Sequence, residues 1–260
     1  MSGPIHGQDP RPDPAAAPEA VLVVVPAHDE ELLVRQSLIS VQRAVARSGL
    51  PSAIVLVAHR CTDRTVEVAQ EVLTGPGESV LLDDSATVAT ARAAGVARAL
   101  ATFPGPRPPA HRSWLLSTDA DSVVPVTWVA DLRRHITPEV AAIAGLVEVH
   151  DWDGASPAAR EAYRAILAAG MRMTQHDHVY AANLAVRLDA YLDVGGWPNQ
   201  VPGEDTALVA ALRSRAWPVI GARDVRVRTS GRRVPRAVGG LGSLLNRLAV
   251  EGMSSAVDIG

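Results

Sequence analysis

The hydrophobic and polar positions in the first half of the chain alternate between short apolar runs and longer amphipathic stretches. Four apolar runs predict buried strands, over residues 21–25, 53–58, 79–82 and 114–119. Amphipathic stretches follow the first three runs and predict helices, over residues 30–48, 62–73 and 87–101. Strands and helices that alternate at this spacing indicate βαβ units, so we predict an α/β fold with a Rossmann-like, mainly parallel sheet flanked by helices.

The pattern of the second half is less regular. It predicts helices near residues 126–135, 156–173, 204–215 and 235–250. Strands are predicted near 140–149, 217–221 and 225–227, with a short apolar segment over 179–186. A chain of 260 residues is long enough to bury a large core. We therefore expect one domain with two halves, over 19–122 and 123–260, preceded by a disordered tail over 1–18.

Composition and charge argue against several classes of protein. The net charge of −3 gives no electrostatic reason to expect nucleic-acid binding, and only 3% of the residues are aromatic. The single cysteine, Cys61, cannot form an internal disulfide, and we expect its side chain to pack. No apolar run approaches the roughly 20 residues that cross a bilayer. We expect a cytoplasmic protein without a transmembrane segment, with a peripheral position at the membrane as the alternative.

Three predicted strands end at residues that can bind a ligand. Pro26, His59 and Asp119 lie at these ends, and ligands of parallel α/β sheets bind beyond the carboxyl ends of the strands. Asp119 and Asp121 are spaced i, i+2, which on a strand would place both carboxylates on one face. There they could share a divalent cation. A solvated turn with Asx hydrogen bonds is the alternative.

Four motifs, taken in order, resemble those of family 2 glycosyltransferases with the GT-A fold. The resemblance covers roughly residues 21–248 and rests on Val25-Pro26-Ala27-His28-Asp29-Glu30-Glu31, Cys61-Thr62-Asp63-Arg64-Thr65, Thr118-Asp119-Ala120-Asp121, and Gly195-Gly196-Trp197 followed by Gly203-Glu204-Asp205. It implies transfer of a sugar, with inversion, from a UDP- or GDP-sugar to a hydroxyl acceptor, which includes lipid-linked acceptors. It also implies Mn²⁺ or Mg²⁺ as the cofactor.

Carried over residue by residue, the resemblance assigns a role to each motif. It places the metal at Asp121 and Asp119, and the catalytic base at Asp205. The acceptor side would comprise Asn183, Gly196, Trp197 and Glu204. The donor site would comprise Pro26, Ala27, His28, Asp29, Glu30, His59, Arg92, Asp119, Ala120 and Asp121. His59 follows Ala58 where the family usually has paired aspartates, so the resemblance leaves the identity of the base open.

Simpler interpretations stand beside these assignments. Asp29, Glu30 and Glu31 could merely complement a helix dipole, and so could the acidic helix start at Glu204-Asp205. Trp197 could pack under its turn. The segment 176–178 has two histidines but is interpreted as a solvated loop, and the basic run 228–233 as a solvated turn or a lid over diphosphate.

Two other functions also remain open. A sugar nucleotidyltransferase usually has a Gly-rich loop with Arg after the first strand, whereas this chain has the acidic segment 26–31 there. A non-catalytic nucleotide-sugar-binding module is favoured by the altered loop at Ala58-His59. It is disfavoured by the presence of Asp119, Asp121 and Asp205 together.

Overall fold

The computed structural model describes residues 17–106, 108–152, 157–200 and 203–231. The tail predicted over 1–18 lies almost wholly outside these residues, as does the helix predicted over 235–250. Within the described ranges, no helix is both long enough and apolar enough to span a bilayer.

The helices and strands follow the order that the hydrophobic pattern predicts, with additions in the second half. The strands are β1 (Ala20–Ala27), β2 (Ser52–His59), β3 (Glu78–Asp83), β4 (Ser113–Ser117), β5 (Ser122–Val123), β6 (Ala142–Asp151), β7 (Leu184–Arg187) and β8 (Val219–Ser230). The α-helices are α1 (Val34–Ser48), α2 (Thr65–Val72), α3 (Val88–Thr102), α4 (Trp128–Arg133), α5 (Pro157–Ala169), α6 (Leu188–Asp193) and α7 (Glu204–Ser214). Short 3₁₀ helices cover Ala110–Arg112 and Ala181–Asn183.

The strands of the described residues form one mixed sheet in the order β3-β2-β1-β4-β7-β6-β8-β5. Strands β1 to β4 are mutually parallel, and β6 is parallel to β8. Strand β7 runs antiparallel between β4 and β6, and β5 runs antiparallel to β8 at the edge. The predicted α/β fold with a mostly parallel sheet is therefore confirmed.

Both faces of the sheet are covered, which explains why its strands are continuous apolar runs. Helices α1, α2 and α4 pack on one face, and α3, α6 and α7 pack on the other. Gly95 brings α3 close to the sheet: a Cβ there would lie 2.5 Å from Val24 and 2.7 Å from Val57. The glycine thus fixes the approach of the helix that carries Arg92.

Several predicted boundaries were wrong, and local hydrogen bonds explain most of them. Strand β4 ends at Ser117 rather than at Asp119. Helix α2 begins at Thr65, with Arg64 at the cap position. Thr62 does not cap it, and its hydroxyl donates to Asp29 instead. The strands predicted at 217–221 and 225–227 form one strand, β8, whose pairing with β6 shifts register between Gly145 and Leu146. The shift leaves residues 223–225 without partners in β6, and the first two of these are exposed.

Candidate active site

The loops after β1 and β2 are joined by hydrogen bonds. Asp29 has a positive φ of 53°, and its carboxylate accepts hydrogen bonds from the backbone N–H groups of Thr62 (2.6 Å) and Asp63 (3.2 Å). The bond from Thr62 is the main cause of a lowered pKa at Asp29. The Glu30 N–H donates to Thr65 Oγ1 at 2.6 Å. The loops after β1 and β2 therefore meet beyond the carboxyl ends of these strands.

The two histidines at these strand ends are also linked. His28 Nδ1 and the carbonyl oxygen of His59 are hydrogen-bonded at 2.8 Å. His59 Nδ1 is hydrogen-bonded in turn to Asp83 Oδ2 at 2.8 Å. This bond holds the His59 ring, which stands where the family usually has an aspartate, in one orientation. Burial would raise the pKa of Asp83, but hydrogen bonds from Ser85 and His59 outweigh it and keep that pKa below its usual value.

Asp29, Cys61 and Asp63 lie close enough to hold a cation, since one ligand atom from each falls within 4.8 Å of the others. The carboxylates of both aspartates already accept backbone N–H groups from the facing loop. Cys61 Sγ is 3.4 Å from the carbonyl oxygen of Ala27, the side chain packs against the core, and burial raises its pKa. We interpret the cluster as a junction between loops, and the predicted packing of Cys61 is confirmed.

The acidic doublet lies in the turn between β4 and β5. The Ser122 N–H donates to the carbonyl oxygen of Asp119 at 3.0 Å, which closes this turn. The prediction that strand alternation would align the two carboxylates was therefore wrong. Asp119 accepts a hydrogen bond from Arg92 Nη2 at 2.7 Å, whereas Asp121 accepts one from Thr229 Oγ1 at 3.1 Å.

The donor set of this turn suits a hard cation. Asp119 and Asp121 offer carboxylate oxygens, which Mg²⁺ and Mn²⁺ prefer. The Asp119 side chain is 36% exposed, so an ion could reach it from solvent. Ala120, between them, is buried and anchors the turn to the core.

Arg92 is a buried cation at the centre of the site. It lies on α3, which Thr87 caps, and only 3% of the residue is exposed. Nη1 donates to Ser117 Oγ at 2.5 Å, Nη2 donates to Asp119, and Nε lies 3.7 Å from Glu204 Oε1. Both terminal nitrogens thus bind protein groups, and the side chain does not face solvent.

The acidic start of α7 follows Gly203, which has a φ of 99°. Asp205 Oδ2 accepts a hydrogen bond from the Ala181 N–H at 3.0 Å, and Oδ1 accepts one from the Thr206 N–H at 2.7 Å. Burial raises the pKa of Glu204 despite the nearby positive charge of Arg92. The helix start therefore holds one carboxylate against the segment before β7 and points the other toward Arg92.

Two of the predicted acceptor residues are buried instead. Asn183 is 0% exposed, and its side chain bonds Trp128 Nε1 and the carbonyl oxygens of Leu146 and Val225. Trp197 is 7% exposed and lies 5.4 Å from the Arg92 guanidinium. In this arrangement both side chains hold the fold together, and neither offers a free surface to an acceptor.

Sequence reasoning missed several contacts of the site and misjudged one segment. It assigned no role to Ser117 or Thr229, although the alternation of buried residues along β8 places Thr229 inward with Val227. It took 176–178 as solvated, which was wrong for His176: that residue is 4% exposed because its backbone packs directly on Gly221. Residues 232 and 233 of the basic run lie outside the described structure.

Comparisons with known proteins agree on one family. The model of the family described as "Glycosyltransferase like family 2" matches residues 18–247. No curated protein matches the chain.

Several solved structures share the fold at low sequence identity. A mannosyltransferase from Pyrobaculum calidifontis, in complex with GDP-Man and Mn²⁺, has a TM-score of 0.63 and 16% identity over 96% of this chain and 78% of that one. TarS 1-349 of S. aureus, in complex with UDP-GlcNAc, has a TM-score of 0.58 and 12% identity, over 89% of this chain and 66% of that one. Glucosyl-3-phosphoglycerate synthase of M. tuberculosis has a TM-score of 0.50 and 14% identity, over 91% of this chain and 80% of that one. The chain thus spans about two thirds of the length of that TarS structure.

The family model covers most of the chain, and the sheet topology agrees with the solved structures. Three of the motifs follow the carboxyl ends of β1, β2 and β4, and the fourth includes the start of α7, where Asp205 bonds the Ala181 N–H. The chain therefore belongs to the glycosyltransferase-like family 2 and has the GT-A fold.

Proposed function

We propose that this protein is a metal-assisted, inverting glycosyltransferase that moves a sugar from a nucleotide diphosphate sugar to a hydroxyl acceptor. One observation carries the proposal: the buried guanidinium of Arg92 contacts Asp119 at 2.7 Å and lies 3.7 Å from Glu204. Asp119 of the acidic doublet and Glu204 at the start of α7 therefore border the same guanidinium, which supports a donor side and an acceptor side that meet there.

The donor would lie over the loops after β1, β2 and β4. Segment 26–30 and His59 would face the nucleotide, and segment 119–121 the diphosphate. The relatives in complex with GDP-Man and with UDP-GlcNAc support a UDP- or GDP-sugar as the donor class. Asp121 and Asp119 would hold Mn²⁺ or Mg²⁺, which when bound neutralises charge on the departing diphosphate.

Asp205 would act as the general base. Its carboxylate would take the proton of the acceptor hydroxyl while that oxygen attacks the anomeric carbon from the face opposite the diphosphate, so the configuration inverts. The hydrogen bonds from Ala181 and Thr206 support this role because they orient the carboxylate. Glu204 and Gly196 would border the acceptor, and a lipid-linked alcohol reached at the membrane surface is among the acceptors we propose.

The test is a thermal-shift screen of UDP- and GDP-sugars with and without Mn²⁺, followed by product analysis with a panel of alcohol acceptors. A donor that binds only the folded state raises the melting temperature. We expect one nucleotide class to give a Mn²⁺-dependent shift, and a transfer product of inverted configuration. Pyrophosphate release from a nucleoside triphosphate and a sugar phosphate would instead identify a nucleotidyltransferase. Donor binding without turnover would identify a non-catalytic module.

A further inference from the structure

We infer that Arg92 is a positioning residue that ties the acidic doublet, through Asp119, to the start of α7, through Glu204. The inference rests on the proposed function, because it concerns how the donor side and the acceptor side of that site are held together. Arg92 would act through its two carboxylate neighbours and would not itself bind the substrate.

The burial of Arg92 is the first argument. A guanidinium that is 3% exposed pays a large desolvation penalty unless charged and polar partners surround it. Those partners are Ser117 at the end of β4, Asp119 in the following turn and Glu204 at the first position of α7. They come from two segments far apart in the sequence, the end of β4 with its turn and the start of α7, so the one cation sets the distance between these segments.

The packing of the guanidinium is the second argument. Its central carbon lies 5.4 Å from the centroid of the Trp197 ring, within the range of a cation–π contact. Trp197 is itself buried, and the Tyr191 hydroxyl accepts a hydrogen bond from its backbone N–H at 3.3 Å. The segment 195–197 thus covers the face of Arg92 and restricts it to its carboxylate neighbours.

The consequence for a cation at Asp119 distinguishes this role from simple support of the fold. Arg92 places a positive charge 2.7 Å from an Asp119 oxygen that a metal would share, and the two like charges would repel each other. Removing that charge should strengthen Mn²⁺ binding. It should also slow transfer, because Glu204 and Asp205 are then no longer held in position relative to Asp119. General damage to the fold would weaken both.

The experiment compares Arg92→Met, Arg92→Lys and Glu204→Gln, with Arg98→Met as the matched control. Arg98 lies on the same helix, where its Nε is 3.4 Å from Ser79 Oγ in an exposed contact. Mn²⁺ affinity is measured by calorimetry on the protein without donor, and transfer by initial rates. We expect Arg92→Met to bind Mn²⁺ about threefold or more tightly and to lower kcat about tenfold or more, with a small change in the donor KM. Arg92→Lys should keep near-normal Mn²⁺ affinity and recover part of kcat, and Arg98→Met should match the wild type.

The double variant Arg92→Met/Glu204→Gln completes the test. If the two residues act as one unit, the double variant is about as slow as the slower single variant. Multiplicative losses in kcat, or weaker Mn²⁺ binding in folded Arg92→Met, would overturn the inference. Circular dichroism establishes that each variant is folded. Failure of the wild type to transfer any sugar would refute the proposed function, whereas the Mn²⁺ comparison would still decide the link between Arg92 and Asp119.

Discussion

The backbone N–H of Ala181 donates a hydrogen bond to the carboxylate of Asp205, with 3.0 Å between the nitrogen and Oδ2. The bond joins the 3₁₀ turn before β7 to the first turn of α7, two segments more than 20 residues apart in the sequence. It leaves the direction of the carboxylate fixed by the backbone, which is rigid compared with a side-chain partner. Asp205 is therefore the carboxylate whose removal should affect chemistry more than structure.

Asp205→Asn should abolish proton transfer while keeping part of the local geometry. The amide oxygen can still accept one of the two N–H groups that the carboxylate binds, those of Ala181 and Thr206, and the other bond is lost. We expect transfer to fall by about 10²-fold or more, the range of general-base contributions, with unchanged donor affinity. Initial rates and donor titration by calorimetry measure the two quantities. Asp177→Asn, at a 57% exposed carboxylate, is the control and should leave both unchanged. An Asp205→Asn protein with wild-type rates would refute the proposed mechanism.

Asp121→Ala should weaken metal-dependent binding of the donor, because it removes one of the two carboxylates of the turn. We expect Mn²⁺ affinity in the presence of a nucleoside diphosphate to fall about tenfold or more, as measured by calorimetry. Thr229→Val is the matched comparison, since it removes the hydroxyl that bonds Asp121 but keeps the carboxylate. It should have a smaller effect, and equal Mn²⁺ affinity in Asp121→Ala and the wild type would contradict the assignment.

Asn183→Ala should destabilise the protein, since it leaves Trp128 Nε1 and two buried carbonyl oxygens without their partner. Each unsatisfied buried group costs about 1–3 kcal/mol, so we expect a loss of about 3 kcal/mol or more in the free energy of unfolding. Urea denaturation measures it. The acceptor KM of the folded fraction should be unchanged, and a raised KM without loss of stability would restore the acceptor role that the sequence resemblance implied.

Substitutions of Asp29 should separate its backbone conformation from its hydrogen bonds. Its φ of 53° is tolerated by Asn and Gly but costs other residues about 1–2 kcal/mol. We expect the melting temperature to fall most for Asp29→Ala, which loses both contributions. Asp29→Gly should lose only the bonds to Thr62 and Asp63, and Asp29→Asn should be nearest the wild type. The reverse order between Ala and Asn would show that the loop does not need this conformation.

The hydrogen bonds that Ser85 and His59 make with Asp83 should make stability depend on pH. The pKa of Asp83 is lowered in the folded protein, so its ionised form stabilises the fold above the ordinary aspartate pKa of about 3.9. This contribution is lost as the pH falls through the lowered folded pKa. Asp83→Asn should therefore lower the melting temperature clearly at pH 6, and the difference should shrink toward pH 3. The neighbouring exposed Asp84, changed to Asn, should show no such trend.

Much of the first half of the fold could be predicted, because its strands are buried on both faces and so appear as unbroken apolar runs. Strands β1 to β3 and helices α1 to α3 were found within a few residues. The ends of these elements depend on individual hydrogen bonds, such as that between Thr62 and Asp29, which no periodicity reveals. Strand β5 has only two residues and is defined by its pairing with β8, so it left no pattern to detect.

The candidate site could also be predicted only in part. The motifs located the loops, because strand ends at one sheet edge must lie together. They could not give the directions of the side chains. Asp119 and Asp121 lie beyond the end of β4, where side chains no longer alternate between the two faces of the sheet. The burial of Arg92 and Asn183 also depends on partners distant in the sequence: Ser117 for the first and Trp128 for the second.

The turn between β4 and β5 is held by two side chains from earlier parts of the sequence, Ser37 and Arg92, and by one from a much later part, Thr229. A backbone cut after Val123 would leave Asp119 and Asp121 on a fragment that lacks both Thr229 and α7. Neither fragment would carry a whole site, so the two would have to reassociate before either became useful. Activity recovered on mixing the two fragments would therefore measure their reassociation.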